Sequence, residues 1–113
     1  MAELLWIVKE GVLIARLVVP GPISEEDVDR IGAELMESPG RSEGRILLDF
    51  RGVEFIPSLL LARLITFQKQ CKTNKTHLRL CGVTPQVMEV IKTTHLDSLF
   101  EIHASEREAL AAF

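Results

Sequence analysis

Between the polar loop Arg41–Gly44 and the turn Arg51-Gly52, the chain places Ile46, Leu47 and Leu48 in direct succession, followed by Asp49 and Phe50. A strand with one wet face alternates apolar and polar residues. An unbroken apolar run bounded by loops instead predicts a central strand, here Arg45–Phe50, buried on both faces. The adjoining residues constrain function as well as fold. After Gly52, the segment Val53-Glu54-Phe55-Ile56-Pro57 leads to Ser58, where a long helix is predicted to start.

The flanking segments supply the rest of a sheet and its helices. Two apolar runs, Leu4–Val8 and Val12–Val19, are separated by Lys9-Glu10-Gly11 and read as a β-hairpin. Pro20-Gly21-Pro22 ends the second run, because proline cannot donate to a ladder. A helix then starts at Ser24, which is placed to cap it. Glu25, Glu26 and Asp27 sit where the helix dipole favours negative charge, and Asp27 holds the acidic position of a capping box. Val28, Ile31, Leu35 and Met36 keep helical spacing, and Ser38-Pro39-Gly40 stops the helix. Beyond the central strand, the pattern predicts a helix from Ser58 to Thr73 and a strand over His77–Cys81. A third helix opens at Thr84-Pro85, with threonine as cap and Val87, Val90 and Ile91 facing inward. A short strand over Leu99–His103 and a last helix capped by Ser105 complete the chain. Strands alternating with helices after a hairpin make an α/β domain, a mixed sheet of about five strands with about four helices packed on it. No repeat or linker interrupts it, so residues 1–113 are read as one domain.

Composition removes several function classes. With 47% hydrophobic residues and a net charge of −3, the chain can build a core but offers no basic face for nucleic acid. No apolar stretch is long enough for a membrane span, and the N-terminus lacks the features of a signal peptide, which points to the cytoplasm. Cys71 and Cys81 form no CxxC pair and read as buried small hydrophobes without a redox role. His77, His95 and His103 lack metal-ligand spacing and read as surface or loop residues. No phosphate-binding glycine loop or nucleophile elbow is present. Asp49, at the end of the central strand, reads as a structural carboxylate that accepts loop N–H groups. No catalytic residue, metal or cofactor is therefore expected, and nothing sets an oligomeric state.

At about 100° per residue, Leu60, Leu61, Leu64, Phe67, Gln68 and Cys71 share the core side of the long helix, with Arg63, Thr66 and Gln70 opposite. Leu59 falls on the wet side, an apolar residue pointing outward in the first turn. Ser58 lies between the two sides. It reads either as an N-cap or as a phosphoacceptor, since a helix N-terminus tolerates a phosphate well.

Three segments resemble the STAS domain, the fold of bacterial anti-anti-sigma factors. They are Leu47–Ile56, Leu78–Pro85 and His95–Phe100, and the ending Glu108–Phe113 also fits; the resemblance runs from about Leu4 to Phe113. It implies a non-enzymatic regulator that works by partner switching. In such proteins the unphosphorylated antagonist binds an anti-sigma factor that is also a serine kinase, and phosphorylation of a serine at the start of the long helix separates the two. The family motif at that point is Asp-Ser-Ser-Gly, matched here by Pro57, Ser58, Leu59 and Leu60, so Ser58 alone is retained. The family's Gly-x-Leu-Asp loop near the partner surface corresponds to Gly21-Pro22-Ile23-Ser24, with Glu25 next to the missing acid. The resemblance thus implies Ser58 as phosphorylation site and Gly21, Ser24, Glu25, Ser58, Leu59 and Arg63 as partner-binding residues. The alternative, suggested by Leu59 and Leu60, is a STAS domain that has lost switching and serves as a scaffold or assembly module in a larger complex.

Overall fold

The hairpin forms because Glu10 and Gly11 both adopt positive φ, 53° and 77°, the geometry that lets two residues join strands of right-handed twist. A computed structural model describes all residues, Met1–Phe113. Strand β1 (Glu3–Lys9) pairs antiparallel with β2 (Val12–Val18) in unbroken register from Glu3↔Val18 to Lys9↔Val12. Strands β3 (Arg45–Asp49), β4 (His77–Cys81) and β5 (Glu101–His103) add in parallel, giving the order β1-β2-β3-β4-β5. Helices α1 (Glu25–Glu37), α2 (Ser58–Thr73), α3 (Pro85–Thr93) and α4 (Glu106–Ala112) complete the chain. The sequence reading of a mixed five-stranded sheet with four helices matches this architecture.

Each parallel strand is added beside the last, so every crossover helix lies on the same face. Residues of α1, α2 and α3, among them Val28, Ile31, Leu60, Leu64, Phe67, Val87 and Ile91, share one core with Leu13, Ala15, Ile46, Leu48, Leu78 and Leu80. The opposite face has only α4. There Val12, Ile14, Leu47 and Cys81 pack against Ala109, with Leu110 and Phe113 at the border. The phenyl ring of Phe113 lies 4.3 Å from the guanidinium of the buried Arg79. β3 sends Ile46 and Leu48 to one core and Leu47 to the other, which accounts for its lack of alternation.

Several local expectations need correction. Helix α1 does stop at Ser38-Pro39-Gly40, but the chain continues as a 3-10 turn over Ser38–Arg41, so Arg41 is not part of the loop; the buried Ser38 donates its hydroxyl to the Leu35 carbonyl at 2.7 Å. The last strand starts at Glu101, because a 3-10 turn over Leu96–Ser98 occupies the preceding residues. Thr84 does not cap α3 through its side chain. Its hydroxyl donates instead to the Val53 carbonyl at 2.6 Å. Val90 and Met36 are exposed: α3 and α1 are each covered along a narrow stripe that ends short of these positions. His103 is half-buried rather than a surface residue, with its Nε2 enclosed and unpaired. Both cysteines are buried as expected, and burial pushes their thiols up to about 12, so neither is a thiolate at neutral pH.

Candidate functional site

The loop between β3 and α2 is held from below. Asp49 is buried, and its Oδ1 accepts from the Arg51 backbone N–H at 2.9 Å. Its Oδ2 lies 3.4 Å from both Arg16 Nε and Arg51 Nη2. This is the structural carboxylate the sequence suggested. Gly82 closes the space beside it: at φ +66°, a Cβ there would lie 2.9 Å from Asp49 Oδ1. Phe50 N–H donates to the Cys81 carbonyl and Val53 N–H to the Phe50 carbonyl, each at 2.9 Å. With Thr84 on the Val53 carbonyl, and with Phe50, Val53 and Ile56 sunk into the core, the loop is fixed at several points. The residues between these anchors face outward. Glu54 is exposed and Phe55 is 70% exposed.

Helix α2 starts without help from a side chain. Pro57, with φ −63° and ψ 149°, occupies the N-cap position, and the first helical bond runs from Leu61 N–H to the Pro57 carbonyl at 3.1 Å. Ser58 is the first helical residue rather than the cap, and it is exposed. Proline's restricted φ fits the start of a helix without the hydrogen bond that a capping serine or aspartate would provide. No side chain therefore caps the first-turn N–H groups of α2. Leu60 is buried in the core, whereas Leu59 is 42% exposed. Of the two leucines at the family's small-residue positions, one is a packing change and the other a surface change. The remaining core-side residues of α2 are buried except Leu61, which is half-buried, as is Gln70 on the opposite side.

Of the expected partner-binding residues, Gly21 lines an open concavity, whereas Ser24 and Arg63 are tied into the frame. Val19, Gly21, Pro22 and Ile23 line an open concavity with Gly52, Glu54 and Phe55. The loop after β2 and the loop before α2 thus meet in one surface. Ser24 belongs to the frame of α1: its Oγ accepts from Asp27 N–H at 3.1 Å, and its own N–H donates to Asp27 Oδ2 at 3.0 Å. The carboxyl of Asp27 is held well below the usual range, first by Arg30 at 2.8 Å and then by the Ser24 backbone. Glu25 is exposed beside this box. Arg63 reaches Asp29 of α1 at 2.8 Å and its stem lies over Gly32, so it staples α1 to α2. Phe55 was not among the residues the sequence singled out. An aromatic between Glu54 and Ile56 in a short loop was the available signal, but only the tertiary structure separates the outward Phe55 from the inward Ile56.

The sequence pattern of the STAS domain matches residues 7–109. The chain is 31% identical, over 104 residues, to the proposed anti-sigma factor antagonist BtrV of Bordetella bronchiseptica, covering 92% of this chain and 88% of that one. Among solved structures, an anti-sigma-factor antagonist (STAS) domain protein from Planctomyces limnophilus superposes with a TM-score of 0.86 at 26% identity, covering 96% of each chain. The Bacillus cell fate determinant SpoIIAA in its phosphorylated form superposes with a TM-score of 0.72, covering 99% of this chain and 98% of that one. At 17% identity that last likeness concerns the fold alone. No helix is long and apolar enough to cross a membrane. From the pattern that spans residues 7–109 and the BtrV likeness that runs nearly end to end, the chain belongs to the STAS domain family.

Proposed function

We propose that residues 1–113 act as one cytoplasmic STAS domain, a non-enzymatic anti-sigma factor antagonist whose partner is an anti-sigma factor with serine-kinase activity, and that phosphorylation of Ser58 ends the association. The observation that carries this reading is the state of Ser58. Its hydroxyl is exposed at the start of a long helix whose cap position is filled by Pro57. The side chain can therefore be modified without removing a structural hydrogen bond. Exposed apolar Leu59 and Phe55, with Gly21, Pro22 and Ile23, supply a docking surface next to it.

The switch rests on charge. A phosphate adds about −1.5 to −2 charges at neutral pH. On the free protein, the uncapped N–H groups of α2 receive that charge well. Against a docked partner, the same charge must lose water beside Leu59 and Phe55, with Glu54 of the same loop adding like charge. The nearest basic residue on α2, Arg63, is already paired with Asp29. Phosphorylation would thus spare the fold and oppose the complex.

A second reading is a constitutive scaffold. It is favoured by Pro57, Leu59 and Leu60, which replace the acid and small residues of the family motif. Incubation with the cognate kinase and ATP, then intact mass and binding measurements, separates the two. Switching requires one phosphate on Ser58 and loss of binding in Ser58→Asp. An unmodified Ser58, together with wild-type binding by Ser58→Asp, leaves the scaffold.

A further inference from the structure

The two edges of the sheet are not built alike. β5 is three residues long and carries Glu101 and His103, features that discourage pairing with another chain. β1 is seven residues long, has no proline or bulge, and carries five consecutive apolar residues, Leu4–Val8, between Glu3 and Lys9. On the face served only by α4, Leu5 is 50% and Ile7 58% exposed, and together with Ile14 they line a hollow that α4 borders only through Glu106 at its first turn. A long, regular, apolar open edge invites another strand unless something covers it.

We propose that β1 pairs antiparallel with β1 of a second copy, centred on Trp6, so that two five-stranded sheets join into one. Three independent features of the strand agree on this arrangement. The first is backbone parity. Lys9↔Val12 closes a two-residue hairpin and is a hydrogen-bonded pair, so Ile7, Leu5 and Glu3 also exchange their bonds with β2. The N–H and C=O groups of Leu4, Trp6 and Val8 are then left pointing to the open edge. A register that opposes Trp6 to Trp6 and Leu4 to Val8 of the second copy matches these groups to one another. The second feature is charge. The same register sets Glu3 against Lys9 of the other copy, twice, by symmetry. A shift of two residues either way sets Glu3 or Lys9 against an apolar residue. Lys9 lies 3.5 Å from Glu106, but both side chains are partly exposed and such a contact is weak. The third feature is apolar cover. Leu5 faces Ile7 of the second copy in a non-hydrogen-bonded pair, where side chains approach most closely.

Trp6, the only tryptophan, would stand at the two-fold axis. Its ring is fixed on the helix side by Glu34, 3.1 Å from Nε1, and by Arg41, 4.8 Å from the ring centre. A single strand pair buries little area, so the dimer is expected to be weak and concentration-dependent. Each dimer would carry two copies of the surface around Ser58.

Sedimentation of the full chain up to submillimolar concentration tests the proposal, with tryptophan emission monitored in parallel. The wild type should dimerise, with emission changing over the same concentration range. Leu5→Lys, at a half-exposed position, should abolish dimerisation while keeping the wild-type circular dichroism spectrum. Glu3→Lys and Lys9→Glu should each weaken the dimer about tenfold, and the double reversal should restore it. Leu5→Cys/Ile7→Cys should give a covalent dimer on oxidation, since Cys71 and Cys81 are buried. A wild type that stays monomeric throughout, a dimer that survives Leu5→Lys, or a double reversal no better than the single ones would overturn it.

Discussion

Two serines stand at the starts of two helices packed side by side, and the fold uses them in opposite ways. Ser24 is locked in a complete capping box with Asp27, which Arg30 holds in turn. Ser58 has no such partner, because the backbone of Pro57 occupies the cap position and no side chain caps α2. A serine at a helix start is therefore not one kind of residue. Ser24 is part of the frame that fixes α1 on the sheet. Ser58 is a hydroxyl left free on a surface whose geometry is maintained from below by Asp49, Gly82 and Thr84.

The contrast can be broken most severely at its support. Gly82→Ala forces a side chain into positive φ and onto the Asp49 carboxylate, and should cost about 2–3 kcal/mol of stability, read as a lower urea midpoint. Next comes Ser58→Asp. If the hydroxyl is the switch, affinity for the anti-sigma partner should fall at least about tenfold, or about 1.4 kcal/mol, with an unchanged urea midpoint. A matched fall in stability would mean that Ser58 is structural after all. Ser24→Ala removes a side-chain cap and should cost about 1 kcal/mol, while Ser58→Ala should stay within about 0.5 kcal/mol of wild type. Equal losses at the two serines would erase the distinction.

A pH titration sharpens the same comparison from the side of α1. The Asp27 carboxyl, chiefly through its hydrogen bond with Arg30, has a folded pKa below its ordinary value of 3.8. A depressed carboxylate contributes stability that is fully present above the unfolded pKa and is lost as pH falls through that range. Stability should therefore decline below about pH 4, and Asp27→Asn should flatten part of that slope. No matching contribution is expected from the start of α2, where no acid caps the helix.

Much of the architecture was legible because it rests on local chemistry. Glu10-Gly11 turns the hairpin through two positive φ values, Ser24 and Asp27 fix the start of α1, and Ser105 caps α4, accepting from Glu108 N–H at 3.2 Å. The errors fell where a distant partner competed for a local group. Thr84 matches a capping pattern, yet its hydroxyl goes to Val53, thirty-one residues away. Val90 keeps the helical period of Val87 and Ile91, but α3 is covered too narrowly to bury it. Arg63 lies on the wet side of α2 as read, but its tie to Asp29 across the α1–α2 seam was not legible in the sequence.

The amino-acid sequence by itself determined the order of strands and helices, the central strand and the position of Ser58, because periodicity, capping and turn chemistry act within a few residues. Only the tertiary structure decided which helix-start serine is engaged, that Ile56 turns inward while Phe55 turns outward, and that β1 is left with an open apolar edge. Those outcomes depend on which groups meet across the sheet and between α1 and α2. Such meetings join residues far apart in the chain, and no local pattern encodes them.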